Sequence, residues 1–207
     1  MTHPRSPFLV YENFLSPLLC EQIIDGLNYF TPDIDREGKP LMMQKHHEVF
    51  EDIAFKRLKQ IVASVQEYYG FTYNGTERMY FEWYPQSTVS QPKCENSNYI
   101  RKKWVRTKNR DISGVIFLVD YQETIPFDTK FEVFGGKLEF PQHNFGFNPT
   151  RGTLILFPSG PHFINCVSPI FAGDLYMIRF HIAAQLPYLY NPEKFLGKFT
   201  DWFQGKY

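Results

Sequence analysis

The sequence predicts an α+β protein in which a β-sandwich or jelly-roll barrel follows an N-terminal helical region. Three observations carry that prediction. Residues 48–69 set Phe50, Ile53, Ala54, Leu58, Ile61, Val62, Val65 and Tyr69 at helical spacing, a single long apolar stripe. From Arg78 onward the chain changes to short β-branched and aromatic runs punctuated by Pro, Gly and Asn. Aromatic residues make up 18% of the chain, with 21 Phe and 13 Tyr, a supply suited to packed sheet faces.

Taken in order, Pro7–Tyr11 reads as a strand. Ser16-Pro17 then supplies a cap and a first-turn proline for a helix reaching about Tyr29, with Leu19, Ile23, Ile24 and Leu27 on one side. Thr31–Leu41 holds Pro, Asp and Gly and reads as a loop. His46 and His47 precede the long helix as an exposed pair, and Gly70 stops it. Arg78–Tyr84 is a strand whose one carboxylate is Glu82, and Gln86–Asn98 is polar. Arg101–Arg110 is locally basic, a solvated loop or an anion-facing rim. Asp111–Val119 is a buried strand, Asp120–Phe134 a loop, Lys137–Phe140 a short strand and Pro141–Thr150 a loop. Gly152–Phe157, His162–Val167 and Leu175–Ile182 complete the strands. The chain reads as a single domain, 1–207, with 183–207 an irregular tail packed on the body.

Bulk composition excludes several function classes. Lys+Arg and Asp+Glu are both 22, so no overall field recruits nucleic acid. Cys20, Cys94 and Cys166 are odd in number and widely spaced, which points to reduced thiols. The first residues have no apolar leader core and no run reaches membrane-spanning length, so the expectation is a soluble, unsecreted protein without a membrane partner.

The strand Leu175–Ile182 carries the chief anomaly. Its period of two puts Leu175, Met177, Arg179 and His181 on one face and Tyr176, Ile178, Phe180 and Ile182 on the other. A buried guanidinium must find an anion, and Glu82 or Glu139 are the candidate partners. His162, after Gly160-Pro161, is the second unusual side chain. His143 reads as a loop residue and His181 as a barrel-end residue.

Four segments carry a family resemblance: Phe14-Leu-Ser-Pro-Leu-Leu-Cys20, Arg110-Asp-Ile-Ser-Gly-Val-Ile-Phe-Leu-Val-Asp120, Gly135-Gly-Lys-Leu-Glu-Phe-Pro141, and Pro149-Thr-Arg-Gly-Thr-Leu-Ile-Leu-Phe-Pro-Ser159. Together with the element order from Phe8 to His181 they resemble the 2-oxoglutarate/Fe(II)-dependent dioxygenases of the prolyl 4-hydroxylase type. Within that superfamily they look most like versions carried by tailed bacteriophages, notably those of cyanobacteria. The resemblance implies a double-stranded β-helix (jelly-roll) core with N-terminal helices packed on one sheet. It also implies Fe(II) held by two His and a carboxylate, and 2-oxoglutarate gripped by a distal basic residue.

Carried over residue by residue, the family's His-x-Asp falls on Lys93-Cys94-Glu95. Glu95 remains a candidate metal ligand, but the Lys93 ammonium has no lone pair to offer and repels a dication. A salt bridge from Lys93 to Glu95 or another carboxylate would instead fill the vacated position. Two alignments place the distal half. Asn165-Cys-Val-Ser-Pro-Ile fits the family's His-x-Val-x-Pro-Val word, with Asn165 at the metal and Leu175 at the anion site. The other, which we prefer on sequence, makes His162 the ligand and Arg179 the 2-oxoglutarate anchor, facing each other across an antiparallel turn. Cys94 and Cys166 lack a CxxC partner.

The expected function is therefore a dioxygenase-fold protein with a degenerate triad and weak or absent hydroxylase activity. It would serve as a virion-structural or binding module, in a virion or the host cytoplasm, with phage structural proteins as partners. The alternative is an active hydroxylase of a peptide or small molecule with an altered iron site, needing Fe(II) and 2-oxoglutarate. A sugar- or anion-binding jelly roll that keeps Arg179 and discards the metal is the third reading.

Overall fold

In the computed structural model, which describes residues 6–27, 42–88 and 90–195, strand β1 (Leu9–Tyr11) leads into helix α1 (Pro17–Leu27). The Ser16 hydroxyl accepts from the Leu19 amide at 3.3 Å, satisfying a donor that the first turn leaves open. The expected extension of α1 to Tyr29 and the loop Thr31–Leu41 lie outside the described residues. After β2 (Met43–Lys45), α2 (Glu48–Tyr69) follows the apolar stripe and buries Ala54, Leu58, Val65 and Tyr69. Gly70 ends it in the left-handed region at φ 74°, its amide returning to the Gln66 carbonyl at 2.7 Å.

The strands are β3 (Tyr73–Thr76), β4 (Tyr80–Tyr84), β5 (Ser97–Ile100), β6 (Lys103–Arg106), β7 (Ile112–Phe117), β8 (Asp120–Gln122) and β9 (Glu132–Gly135). They continue as β10 (Leu138–Phe140), β11 (Phe145–Phe147), β12 (Leu154–Pro158), β13 (Cys166–Val167), β14 (Ile170–Ala172) and β15 (Leu175–Ala184). Among the described residues the main sheet runs β1-β12-β7-β15-β4-β2, with β3 beside the end of β15. Two smaller sheets, β11-β10-β13 and β14-β9-β8, complete the double-stranded β-helix, and β5-β6 forms a separate hairpin.

Helix α2 covers one face of the main sheet. Its Phe50 ring meets Phe81 of β4 at 6.5 Å, and the Tyr69 hydroxyl donates to the Leu156 carbonyl of β12 at 2.8 Å. On β15 this face presents Phe180 directly opposite Gly114 of β7. A Cβ at Gly114 would stand 2.2 Å from that ring, so only glycine lets the strand pass beneath it. The other face of β15, with Leu175, Met177, Arg179 and His181, turns inward. Leu175 there lies against the minor sheets, 3.4 Å from where a Gly136 Cβ would stand.

Three expectations change. The segments 120–134 and 141–150, expected as loops, contribute β8, β9 and β11. The basic segment folds as the β5-β6 hairpin, turning on Arg101 and Lys102 at φ 50° and 63°. Such turns are signalled by Asn-Gly rather than by two cations. The strand expected at His162–Val167 is largely a 3-10 turn at Pro161–Phe163, leaving only β13. β13 pairs with β10 and β15 pairs with β4 and β7, so the antiparallel turn expected to set His162 opposite Arg179 does not form. Strand β14 intervenes and pairs with β9. Successive strands here alternate between sheets instead of folding back on themselves.

The segment after β15 packs through half-buried Tyr188 and Tyr190 and buried Phe195, whose ring stacks on Tyr190 at 5.5 Å. Residues 196–207 of the expected tail lie outside the described residues. No helix among the described residues is long and apolar enough to cross a membrane.

Candidate functional site

Strands β4 and β15 run side by side with Glu82 opposite Met177 and Tyr80 opposite Arg179, which places Glu82 and Arg179 diagonally on the inner face. Arg179 is fully buried. Its Nε donates to Glu82 Oε2 at 2.8 Å, and its Nη1 donates to Glu95 Oε1 at 2.9 Å and to Asn165 Oδ1 at 3.4 Å. Its Nη2 is buried without a hydrogen-bond acceptor among the described residues.

Lys93 and Asn165 are brought in by an isolated antiparallel bridge between the segments before β5 and before β13. Lys93 Nζ lies 3.2 Å from Glu82 Oε1 and 3.6 Å from Glu95 Oε1, and its side chain is 33% exposed. The Asn165 amide nitrogen donates to Glu95 Oε1 at 3.3 Å. At the rim, Arg110 Nη1 stands 3.7 Å from Glu95 Oε2, and Nη2 is 2.6 Å from Glu77.

Burial alone would push both carboxyls toward the neutral form. Arg179, and after it Lys93, outweighs that and holds Glu82 and Glu95 below the ordinary carboxylate value. Burial opposes the Arg179 charge as well, and the two carboxylates overcome it. Two cations therefore face two anions, with Glu82, Glu95 and Arg179 buried and Lys93 reaching the rim.

His181, two residues along the same face, sits between the Ser113 hydroxyl at 3.0 Å from Nδ1 and the Tyr80 hydroxyl at 3.3 Å from Nε2. Burial, then Arg110, Arg179 and Lys93, press its pKa well below the usual imidazole value, so the ring is neutral. Ser113 also meets Ser159 of the Phe-Pro-Ser segment at 2.7 Å.

The structure thus gathers Lys93, Glu95, Asn165 and Arg179, which the two sequence alignments divided between them. Glu82 is the Arg179 partner; Glu139 lies on β10 opposite Gly146 and Cys166. Leu175 is fully buried, opposite Tyr84. His162 is not part of the gathering. Its ring lies 5.4 Å from Tyr190, and its carbonyl receives the His143 ring nitrogen Nε2 at 2.7 Å. Cys94 turns its thiol toward the Ser159 carbonyl at 3.5 Å. His181 was read from the sequence as a barrel-end residue, although its alternation with Arg179 already assigns it to the same inner face.

The gathered donors do not suit Fe(II) with 2-oxoglutarate. A facial triad needs three lone-pair donors on one side of the metal. Lys93 offers an ammonium, Asn165 an amide already bonded to Glu95 and Arg179, and Glu95 a carboxylate occupied by Arg179, Lys93 and Asn165. A dication here would meet two fixed cations. Among the described residues no group of three or more His, Cys, Asp or Glu is placed to hold a metal ion.

No protein-family model and no curated protein sequence matches the chain. Solved structures do. The viral collagen prolyl hydroxylase of Paramecium bursaria Chlorella virus-1, in complex with 2-oxoglutarate, superposes with a TM-score of 0.63 at 16% identity over 87% of this chain and 97% of that one. A Trichoplax adhaerens prolyl hydroxylase, in complex with a hypoxia-inducible factor peptide fragment, gives 0.60 at 16% identity over 87% and 84%. A Pseudomonas putida prolyl 4-hydroxylase gives 0.61 at 12% over 87% and 94%. The chain has the double-stranded β-helix fold of the prolyl 4-hydroxylase-like 2-oxoglutarate/Fe(II) oxygenases.

Proposed function

We propose that this protein uses an oxygenase scaffold without its iron, as a binding or virion-structural module whose former metal centre is an internal ion network. One observation carries the reading: the Arg179 guanidinium bonds Glu82 and Glu95 together beside Lys93 and Asn165. The sequence resemblance assigns Lys93 and Glu95 to the first iron-ligand segment, and Asn165 stands at the metal in the alignment not preferred on sequence, whereas the preferred alignment made His162 the ligand and Arg179 the 2-oxoglutarate anchor. A scaffold that keeps the fold and neutralises the site retains the surface on which relatives receive a partner. The Trichoplax neighbour holds a peptide, so an extended segment of a partner protein is the ligand class favoured. The resemblance to phage-borne proteins makes a particle component the favoured partner.

Metal analysis of the purified protein, with 2-oxoglutarate turnover, tests the reading. The expected result is no stoichiometric iron and no succinate above background. Stoichiometric Fe(II) with succinate release would instead establish the hydroxylase with an altered iron site. Mass spectrometry of purified phage particles tests the location. Lys93→His combined with Asn165→His restores two imidazoles beside Glu95 and removes the Lys93 ammonium while keeping the Arg179–Glu82 pair, and Fe(II) affinity absent from the parent is expected to appear.

A further inference from the structure

Three side chains of the interior network are arranged as nucleophile, proton carrier and electrophile for an amide exchange. Lys93 and Asn165 are directly opposed: each backbone N–H donates to the other's carbonyl at 2.9 Å. Directly opposed residues carry their side chains on one face, with Cβ atoms about 5 Å apart. Glu95 Oε1 stands between the two side chains, 3.6 Å from Lys93 Nζ and 3.3 Å from Asn165 Nδ2. On the carbonyl side, Arg179 Nη1 donates to Asn165 Oδ1 at 3.4 Å, and the same guanidinium holds Nη2 buried with no acceptor among the described residues.

We propose that Lys93 and Asn165 become joined by an intramolecular isopeptide bond, which closes the centre covalently. Glu95 takes one proton from the Lys93 ammonium, and the freed Nζ attacks Cγ of Asn165. A new N–C bond forms while the carbonyl electron pair moves onto Oδ1, where Arg179 Nη1 donates to the developing oxyanion. The carbonyl re-forms as the Cγ–Nδ2 bond breaks. Glu95 returns its proton to Nδ2, a second proton follows from the attacking nitrogen, and the departing group leaves as ammonium. One ammonium and one carboxamide thus become one secondary amide and one ammonium ion, with no oxidant, metal or cofactor.

Two features of the surroundings favour this step, while the cations that hold Glu95 ionised make the proton transfer its slow part. The reacting groups are held by the backbone bridge rather than meeting by diffusion. Asn165 is fully buried, which excludes water as a competing nucleophile, while partly exposed Lys93 gives ammonium a way out.

This inference rests on the metal-free reading and is tested separately from it. Intact-mass measurement of the purified full chain, fresh and after prolonged incubation, is expected to show a species one ammonia lighter than the sequence. Digestion of the denatured protein is expected to give a branched peptide joining the Lys93 and Asn165 segments, which distinguishes the cross-link from succinimide formation. Lys93→Arg keeps the cation and is expected to restore the full mass; Glu95→Gln is expected to do the same or slow the loss by orders of magnitude. Full mass in wild-type protein, or ammonia loss without the branched peptide, overturns the proposal. If the mass is full and iron is absent, the metal-free reading stands alone; if iron binds and succinate forms, that reading falls instead.

Discussion

The barrel has two contrasting interiors. Around Arg179, four charged groups satisfy one another and each depends on a particular partner. Around Phe8, the rings of Phe140 and Phe163 lie at 4.7 and 5.8 Å, and His143 stacks on Phe163 at 4.6 Å. Nothing in that second cluster requires a counter-charge. The aromatic interior supplies cohesion that tolerates approximate replacements, whereas the charged interior is conditional: its members are stable together and costly apart.

The largest expected effect follows from that condition. Arg179→Met leaves Glu82 and Glu95 buried with Lys93, and for Glu95 the rim Arg110, as their remaining cations, and unfolding stability is expected to fall by about 3–5 kcal/mol. Phe163→Leu in the aromatic interior is expected to cost about 1–2 kcal/mol, since an apolar side chain still fills most of the space. Urea denaturation of both variants gives the ranking, and a smaller loss for Arg179→Met would remove the distinction between the regions. Replacing Glu82, Lys93, Glu95 and Arg179 together with apolar residues is expected to recover most of the loss, because no charge is then left unpaired.

Acidification separates the regions in a second way. Glu82 and Glu95 titrate below the ordinary value of 4.5 in the folded state, so the unfolded chain binds their protons first. Their contribution is complete above 4.5 and is lost as pH falls through the lower, folded-state values. His143 is lowered by burial from 6.5 to about 4, and His181 also lies below 6.5. A depressed histidine likewise contributes fully above its unfolded value, and that contribution erodes as pH falls. Stability is therefore expected to decline first between pH 6.5 and 4 through the histidines, and further below 4.5 through the carboxylates. Urea midpoints across this range provide the measurement. His143→Gln is expected to make the first decline shallower without altering the second, and a midpoint unchanged between 6.5 and 4 would contradict the assignment.

What the sequence disclosed follows the same division. Local periodicity revealed α2, with its Gly70 stop, and the two faces of β15, because spacing and capping are written within each segment. The resemblance carried the jelly-roll core and pointed to Lys93, Glu95, Asn165 and Arg179 singly. It did not show that Arg179 reaches both Glu82 and Glu95, since that depends on β4 lying beside β15 and on the Lys93–Asn165 bridge. Both are long-range pairings with no local signal. The preferred pairing of His162 with Arg179 assumed that neighbouring strands fold back on each other, which Pro161 and the intervening β14 prevent. The β5-β6 hairpin was hidden by its charge, because Arg101 and Lys102 occupy a turn usually marked by Asn and Gly.

The smallest expected effect concerns His162, the residue that the preferred sequence alignment made an iron ligand. Its ring lies beside Tyr190 on the aromatic side, and burial lowers its pKa, so it is neutral near pH 7. His162→Ala removes a half-buried ring, and a loss of about 1 kcal/mol is expected, near the centre of the range for point substitutions. Metal content and intact mass are expected to match the parent, because the bonds of Arg179 run to Glu82, Glu95 and Asn165. A change in either would show the two interiors to be coupled, and would return His162 to the centre from which the strand topology separates it.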